Sequence, residues 1–288
     1  MDKNVVSDKA LRTIGAVRRA GRFIMAGMDA PLYPDSNDEN VWAHWSRGNY
    51  GPGDWSGSHN DLAAGVDLYH TDHSRAGISV MHTNSSLDRT ENLGEVSMKK
   101  KFTRVSLYGR HDFAGGLHAA GDVFAGGIRI KDTSLVDMST RTAGVHAEVG
   151  VDVPAGRGTI TPLVRAAYAG IRGFTTKDGE GFPFTMKESH YSSFSAGLKA
   201  SLPLSPVSLL TAYAGWGIRT GYDIDGTMSD AWNTMDISES GKEHVKTLGI
   251  GYRCDVTPFA RLSLSAAREF SSGLHDDWNF QVSAAYKF

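Results

Sequence analysis

A few residues in this chain have types and spacings that could do chemistry. His70-Thr71-Asp72-His73 could offer two imidazoles to a metal. A zinc site needs three or four ligands, no third lies nearby in sequence, and Thr71-Asp72 reads as a tight turn. No metal and no cofactor is therefore expected. Cys254 is the sole cysteine, which excludes an intramolecular disulfide. It is read as a small apolar residue rather than a nucleophile. Acyl chemistry has no anchor, because no Gly-x-Ser-x-Gly elbow occurs. His82 could face outward as the base of a lipid hydrolase, but no partner serine is evident. The 33 glycines sit mostly in strand-like stretches, not in a phosphate-cradling loop. The chain does not read as an enzyme.

Composition narrows the partners. A formal charge of -2 gives no reason to expect nucleic-acid binding. Mean hydropathy is negative, and no run approaches the ~18 apolar residues of a spanning helix. Strands of a membrane barrel escape such a test, because their apolar residues occupy only every second position. Met1–Ala10 has no apolar signal-peptide core, so an exported protein would be a trimmed chain or the C-terminal piece of a longer precursor.

The elements that would position any site are almost all strands. The last eleven residues run from Trp278 to Phe288. Trp278, Phe280, Val282, Ala284, Tyr286 and Phe288 alternate with Asn279, Gln281, Ser283, Ala285 and Lys287. Such alternation marks a strand with one apolar face. An ending on Phe288 suits a barrel whose last strand must pair with its first. Twelve strands are predicted: 39–47, 59–70, 73–83, 101–112, 117–130, 143–153, 158–171, 190–202, 206–220, 244–256, 259–269 and 277–288. Connections alternate long (48–58, 84–100, 131–142, 172–189, 221–243) and short (71–72, 113–116, 154–157, 203–205, 257–258), with 270–276 intermediate. Outer-membrane barrels have short periplasmic turns and long external loops. That parity puts the C-terminus on the periplasmic side and the long loops outside the cell. Phe280 and Val282 would then meet the lipid-facing residues of the first strand at the closure seam.

A soluble sandwich or barrel is the competing fold. Against it, aromatic residues cluster near strand ends (Trp42, Trp45, Tyr69, Phe102, Tyr168, Trp216, Trp278), as interfacial girdles do. One face of most strands also carries charge, including Asp67, Glu148, Arg165 and Arg219. Ahead of the strands, residues 8–24 read as one helix of about four turns, capped by Ser7 or Asp8. Leu11, Ile14, Val17 and Phe23 form its apolar side. Arg12, Arg19 and Arg22 share another side, and Arg18 stands four residues before Arg22. The chain divides into 1–30, a linker helix, and 31–288, an all-β, twelve-stranded antiparallel transmembrane barrel.

On these features the sequence resembles the C-terminal translocator domain of bacterial autotransporters (type V secretion). A helix precedes the barrel. The first strand reads Asn40-Val-Trp42-Ala-His44-Trp, with His44 where the family commonly has Arg. Gly65-Val-Asp67 and Ala76-Gly77-Ile-Ser-Val follow, and the end is Tyr286-Lys287-Phe288. The resemblance implies an outer-membrane monomer that exports its own N-terminal passenger, absent from this chain, to the cell surface. It also implies lipid and lipopolysaccharide surroundings. Insertion would be by the barrel-assembly machinery, which would read Phe280, Val282, Tyr286 and Phe288. The helix would plug the lumen, with Arg12, Arg18, Arg19 and Arg22 meeting lumenal acids such as Asp61, Asp67, Glu148 and Asp152. Some members cut the passenger at an Asn-Asn step with the help of a lumenal acid. Here Asn4 stands alone, and Asp67 and Glu148 read first as counter-ions for arginine. Two other functions stay open: a twelve-stranded porin with a surface helix, and an outer-membrane lipase.

Overall fold

A computed structural model describes residues 23, 40–50, 55–91, 94–132, 137–177, 183–221, 224–229, 234–239, 241–271 and 276–287. Its main sheet runs through β1 (Val41–Tyr50), β2 (Trp55–His70), β3 (Ser74–Glu91), β4 (Gly94–Asp112), β5 (Leu117–Asp132) and β6 (Met138–Val151). A short β7 (Val153–Ala155) continues β6 past Asp152, and β8 is Gly158–Ile171. After two short strands, β9 (Phe174–Lys177) and β10 (Pro183–Met186), come β11 (Ser189–Ser205) and β12 (Ser208–Thr220). Two more short strands, β13 (Ile224–Ser229) and β14 (Thr234–Glu239), precede β15 (Lys242–Asp255), β16 (Ala260–Ser271) and β17 (Asp276–Tyr286). Each long strand pairs antiparallel with the next, β8 with β11 and β12 with β15. The sheet closes where β1 meets β17, in a register that sets Val41 against Tyr286 and Trp45 against Val282. Twelve strands thus form one barrel without an open edge, so the wall's backbone donors and acceptors are satisfied within it.

Alternation sorts the side chains. Odd positions of β4 such as Val105 (56 % exposed) and Leu107 (59 %) face out, while Arg104 and Ser106 are buried within. On β17 the even residues Trp278, Phe280, Val282 and Tyr286 are exposed to the outside. Apolar outside and polar inside inverts the soluble pattern, and it suits a wall solvated by lipid. Two aromatic positions differ from expectation. Trp42 and Phe102 belong to the inward-facing set and are buried, so they are not girdle residues. Trp45, Tyr69, Tyr168, Trp216 and Trp278 are exposed on the outer face.

Three of the expected long connections contain more structure than their sequences suggest. Residues 84–100 are mostly strand, because β3 and β4 run on as a ladder that pairs Asn84 with Lys101 and Glu91 with Gly94. Residues 172–189 and 221–243 contribute a second, four-stranded sheet in the order β14-β13-β10-β9. Its Phe184 and Met186 are buried in one apolar cluster with Ile171, Tyr191, Met138 and Met98. The helix expected over residues 8–24 lies outside the described residues except for Phe23, whose backbone is helical.

Close packing inside the wall uses glycine where an aromatic ring must lie flat. A Cβ on Gly65 would stand 2.5 Å from the indole of Trp42, and one on Gly144 would stand 2.6 Å from the ring of Phe124. Both rings lie over a neighbouring strand only because that position has no side chain.

Candidate functional site

The candidate site is the inner wall, built from the inward-facing half of each strand. Near the short-turn end, Asp67 on β2 is a hub. It accepts hydrogen bonds from Tyr108 Oη (2.6 Å) and Arg75 Nη2 (3.2 Å), and His70 Nδ1 lies 3.2 Å away. Trp42 Nε1 donates to Tyr108 Oη at 3.1 Å, so the indole orients the phenol toward the carboxylate. The side chains of Asp67 and Arg75 are both fully buried. A carboxylate in such a place is tolerable only with several donors around it.

A second cluster joins β5, β6 and β8. Arg165 Nε donates to Glu148 Oε2 at 2.5 Å, His118 Nε2 stands 3.6 Å from Oε1, and the Arg165 guanidinium lies 5.3 Å from the Tyr213 ring centre. Beside it, His146 Nδ1 is 2.8 Å from Asp122 Oδ1, and its ring stacks on Phe124 at 5.1 Å. Arg104 caps the other face of this group, 4.9 Å above Phe124. On the opposite wall Arg219 grips Glu269 through both guanidinium nitrogens and lies 3.9 Å from Glu243.

The four acids expected in the lumen have different fates. Asp67 and Glu148 are inward and held by the barrel's own arginines. Asp61 is inward, accepts from Ser46 Oγ at 2.9 Å and has His59 Nε2 at 3.7 Å. Asp152 is exposed at the β6–β7 junction and accepts from Thr161 Oγ1 at 2.5 Å, so it belongs to the short-turn mouth. His70 and His73 flank the β2–β3 turn, and His70 turns back to Asp67. Among the described residues no group of three or more His, Cys, Asp or Glu is placed to hold a metal ion. Arg12, Arg18, Arg19, Arg22 and Phe288 lie outside the described residues. Arg104, Lys100 and the Asp122–His146 pair were not singled out from sequence. Their inward parity on β4 to β6 is the signal that would have found them.

Lys100 joins the barrel wall to the segment ahead of the first strand. It is 2 % exposed and points inward from the run Lys99-Lys100-Lys101, whose outer members are exposed on the other side of the wall. Its Nζ donates to the carbonyl oxygen of Phe23 at 2.8 Å and lies 5.1 Å from the Phe23 ring centre. Phe23 itself is 3 % exposed and belongs to the same apolar cluster as Met98 and Phe102.

A closed antiparallel barrel with an apolar exterior and a charge-paired interior is an outer-membrane barrel. A family model described as the autotransporter beta-domain matches residues 40–267, and the chain belongs to that family. It is an outer-membrane translocator domain, whose family role is export of an attached passenger. Solved structures of similar fold include the transport unit of the autotransporter AIDA-I from Escherichia coli (TM-score 0.73, 16 % identity, 95 % of this chain and 98 % of that one). The beta domain of the Bordetella autotransporter BrkA is similar at TM-score 0.65 and 16 % identity, over 87 % of this chain and 100 % of that one. The translocator domain of NalP from Neisseria meningitidis is similar at TM-score 0.63 and 16 % identity, covering 100 % of both chains. No curated protein matches the sequence significantly.

Proposed function

We propose that this domain carries a passenger, attached ahead of residue 1, through its lumen to the cell surface, and that residues 1–30 then occupy the lumen as a helix. The observation that carries this reading is Phe23. One residue with helical backbone, from a segment that precedes the first strand, is buried against an inward lysine of the barrel wall. A helix with its side chains is ~10–12 Å across, which a barrel of this strand number accommodates. Because Asp67 and Glu148 are held by Arg75 and Arg165, the helix arginines Arg12, Arg18, Arg19 and Arg22 are assigned to Asp61 and the remaining polar wall. Asp67 and Glu148 act as counter-ions, and the domain works as a non-enzymatic monomer.

Orientation follows from the connections. The short turns and the C-terminus face the periplasm, and the second sheet formed by β9, β10, β13 and β14 faces outward from the cell. Lipid and lipopolysaccharide surround the wall. The barrel-assembly machinery reads the last strand through Phe280, Val282, Tyr286 and Phe288. The plug is tested in planar bilayers: Arg12→Glu combined with Arg19→Glu is expected to raise single-channel conductance of the full chain. Unchanged conductance would contradict a lumenal helix and favour a porin with the helix elsewhere.

A further inference from the structure

The outward face of β4, β5 and β6 changes character abruptly at one register row. Below the row, toward the short turns, the outer positions are apolar: Val105 and Leu107 on β4, Val123 on β5, Val145 and Val149 on β6, all exposed. The row itself is formed by His82, Thr103, Gly127 and Arg141, which are direct cross-strand partners. Immediately above, Lys101 pairs across strands with Arg129, and Lys99 with Lys131. Arg172 joins from the end of β8, its backbone N–H donating to the Arg141 carbonyl at 2.9 Å. His82, Lys101, Thr103, Arg129, Arg141 and Arg172 line an open cleft of about 730 Å³ on the outside of the wall. Elsewhere around the barrel the outer boundary is aromatic, with Trp45, Tyr168, Trp216 and Trp278 exposed.

The charge here is largely uncompensated. Asp137 binds Arg129 and lies 3.5 Å from Lys131, and the Arg129 guanidinium holds its carboxyl below the usual carboxylate range. Lys101, Arg141 and Arg172 are exposed and have no ion-pair partner among the described residues. Cations of this density next to an apolar band suit an anion that is anchored in the bilayer. A soluble anion would sit in water with its charge screened within ~8 Å at physiological salt. A lipid phosphate is instead held at the boundary by its own acyl chains.

We propose that this cleft is a binding site for a phosphorylated glycolipid of the outer leaflet. Its sugar phosphates would lie on Lys101, Arg141 and Arg172, and its acyl chains would run down Val105, Val123 and Val145. Arg side chains suit phosphate through paired N–H donors, and Lys supplies a point charge. The glycine at position 127 keeps the floor of the cleft low between Thr103 and Arg141. The site rests on the orientation proposed above, which puts this boundary in the outer leaflet.

The test uses the full chain in detergent micelles and native mass spectrometry with diphosphorylated lipid A, its dephosphorylated form and phosphatidylglycerol. Each cation near an anionic lipid surface contributes about 1 kcal/mol. The triple variant Lys101→Ser, Arg141→Ser, Arg172→Ser is therefore expected to bind diphosphorylated lipid A on the order of 100-fold more weakly than the native chain. The native chain should discriminate against the other two lipids. Equal binding by the variant, or equal binding of dephosphorylated lipid A, would overturn the site. Equal binding of phosphatidylglycerol would overturn the glycolipid as its occupant. If the variant does not fold, the three lipids compared on the native chain still decide. Orientation is read separately, by antibody access on intact cells to an epitope inserted between β9 and β10, so its failure is distinguishable from failure of the site.

Discussion

Asp67→Ala is expected to destabilise the barrel by about 3–5 kcal/mol. The Asp67 carboxylate takes hydrogen bonds from Tyr108 and Arg75 and has His70 within reach, and the Arg75 side chain opposite it is fully buried. Removing the acid takes a counter-charge from a guanidinium that is itself fully buried, and unties Tyr108 from β2. Arg75→Met in the Asp67→Ala background should recover a large part of the loss, because the buried charge is then gone. Urea unfolding of the barrel in lipid vesicles measures both. A single-variant loss under about 1 kcal/mol would mean that the lumen hydrates Arg75 freely.

Val282→Arg is expected to cost about 2–4 kcal/mol, whereas Gln281→Arg, one residue away, should change stability by under about 1 kcal/mol. The contrast follows from period-two geometry: Val282 is 42 % exposed on the lipid face opposite Trp45, and Gln281 points inward. Equal losses at the two positions would contradict the assignment of faces at the seam. The same strand separates assembly from stability. Deleting Phe288 should slow outer-membrane insertion in cells while leaving unfolding of the refolded barrel nearly unchanged. Equal loss in both would make Phe288 a structural residue and not a signal.

The strand count and the seam between the first and last strands were legible in the sequence, whereas the expected long connections 48–58 and 84–100 are largely strand. The count and the seam rest on alternation, which the barrel enforces along every strand. Alternation alone does not say which face an isolated aromatic occupies. Trp42 sits near the start of β1 and Phe102 near the start of the strand expected at 101–112, like girdle residues, yet their parity is that of Ser46 and Arg104, and they point inward. The outer halves of β3 and β4 were hidden for a related reason. Once a strand leaves the bilayer its outward positions no longer need to be apolar, and Asn84, Ser86 and Asp88 read as loop although Ser85, Leu87 and Met98 are buried on the inner side. The short strands β9, β10, β13 and β14 have four to six residues each, too few for a period to emerge. In the lumen, the inward placement of Asp67 and Glu148 beside arginines was an expectation from the charged face of the strands, and both acids do contact an arginine. The partners, Arg75 and Arg165, depend on register between strands, which no local pattern specifies. The outer cation cluster is register-dependent in the same way: Lys101, Arg129, Arg141 and Arg172 are far apart in sequence and meet only because β4, β5, β6 and β8 are neighbours.

The most direct measurement places a folded-state-tolerant reporter, preceded by a signal peptide, ahead of residue 1 and expresses the fusion in Gram-negative cells. The reporter should become sensitive to added protease on intact cells while the barrel remains in the outer-membrane fraction. A reporter that stays protected in the periplasm, with the barrel correctly inserted, would contradict export through this domain.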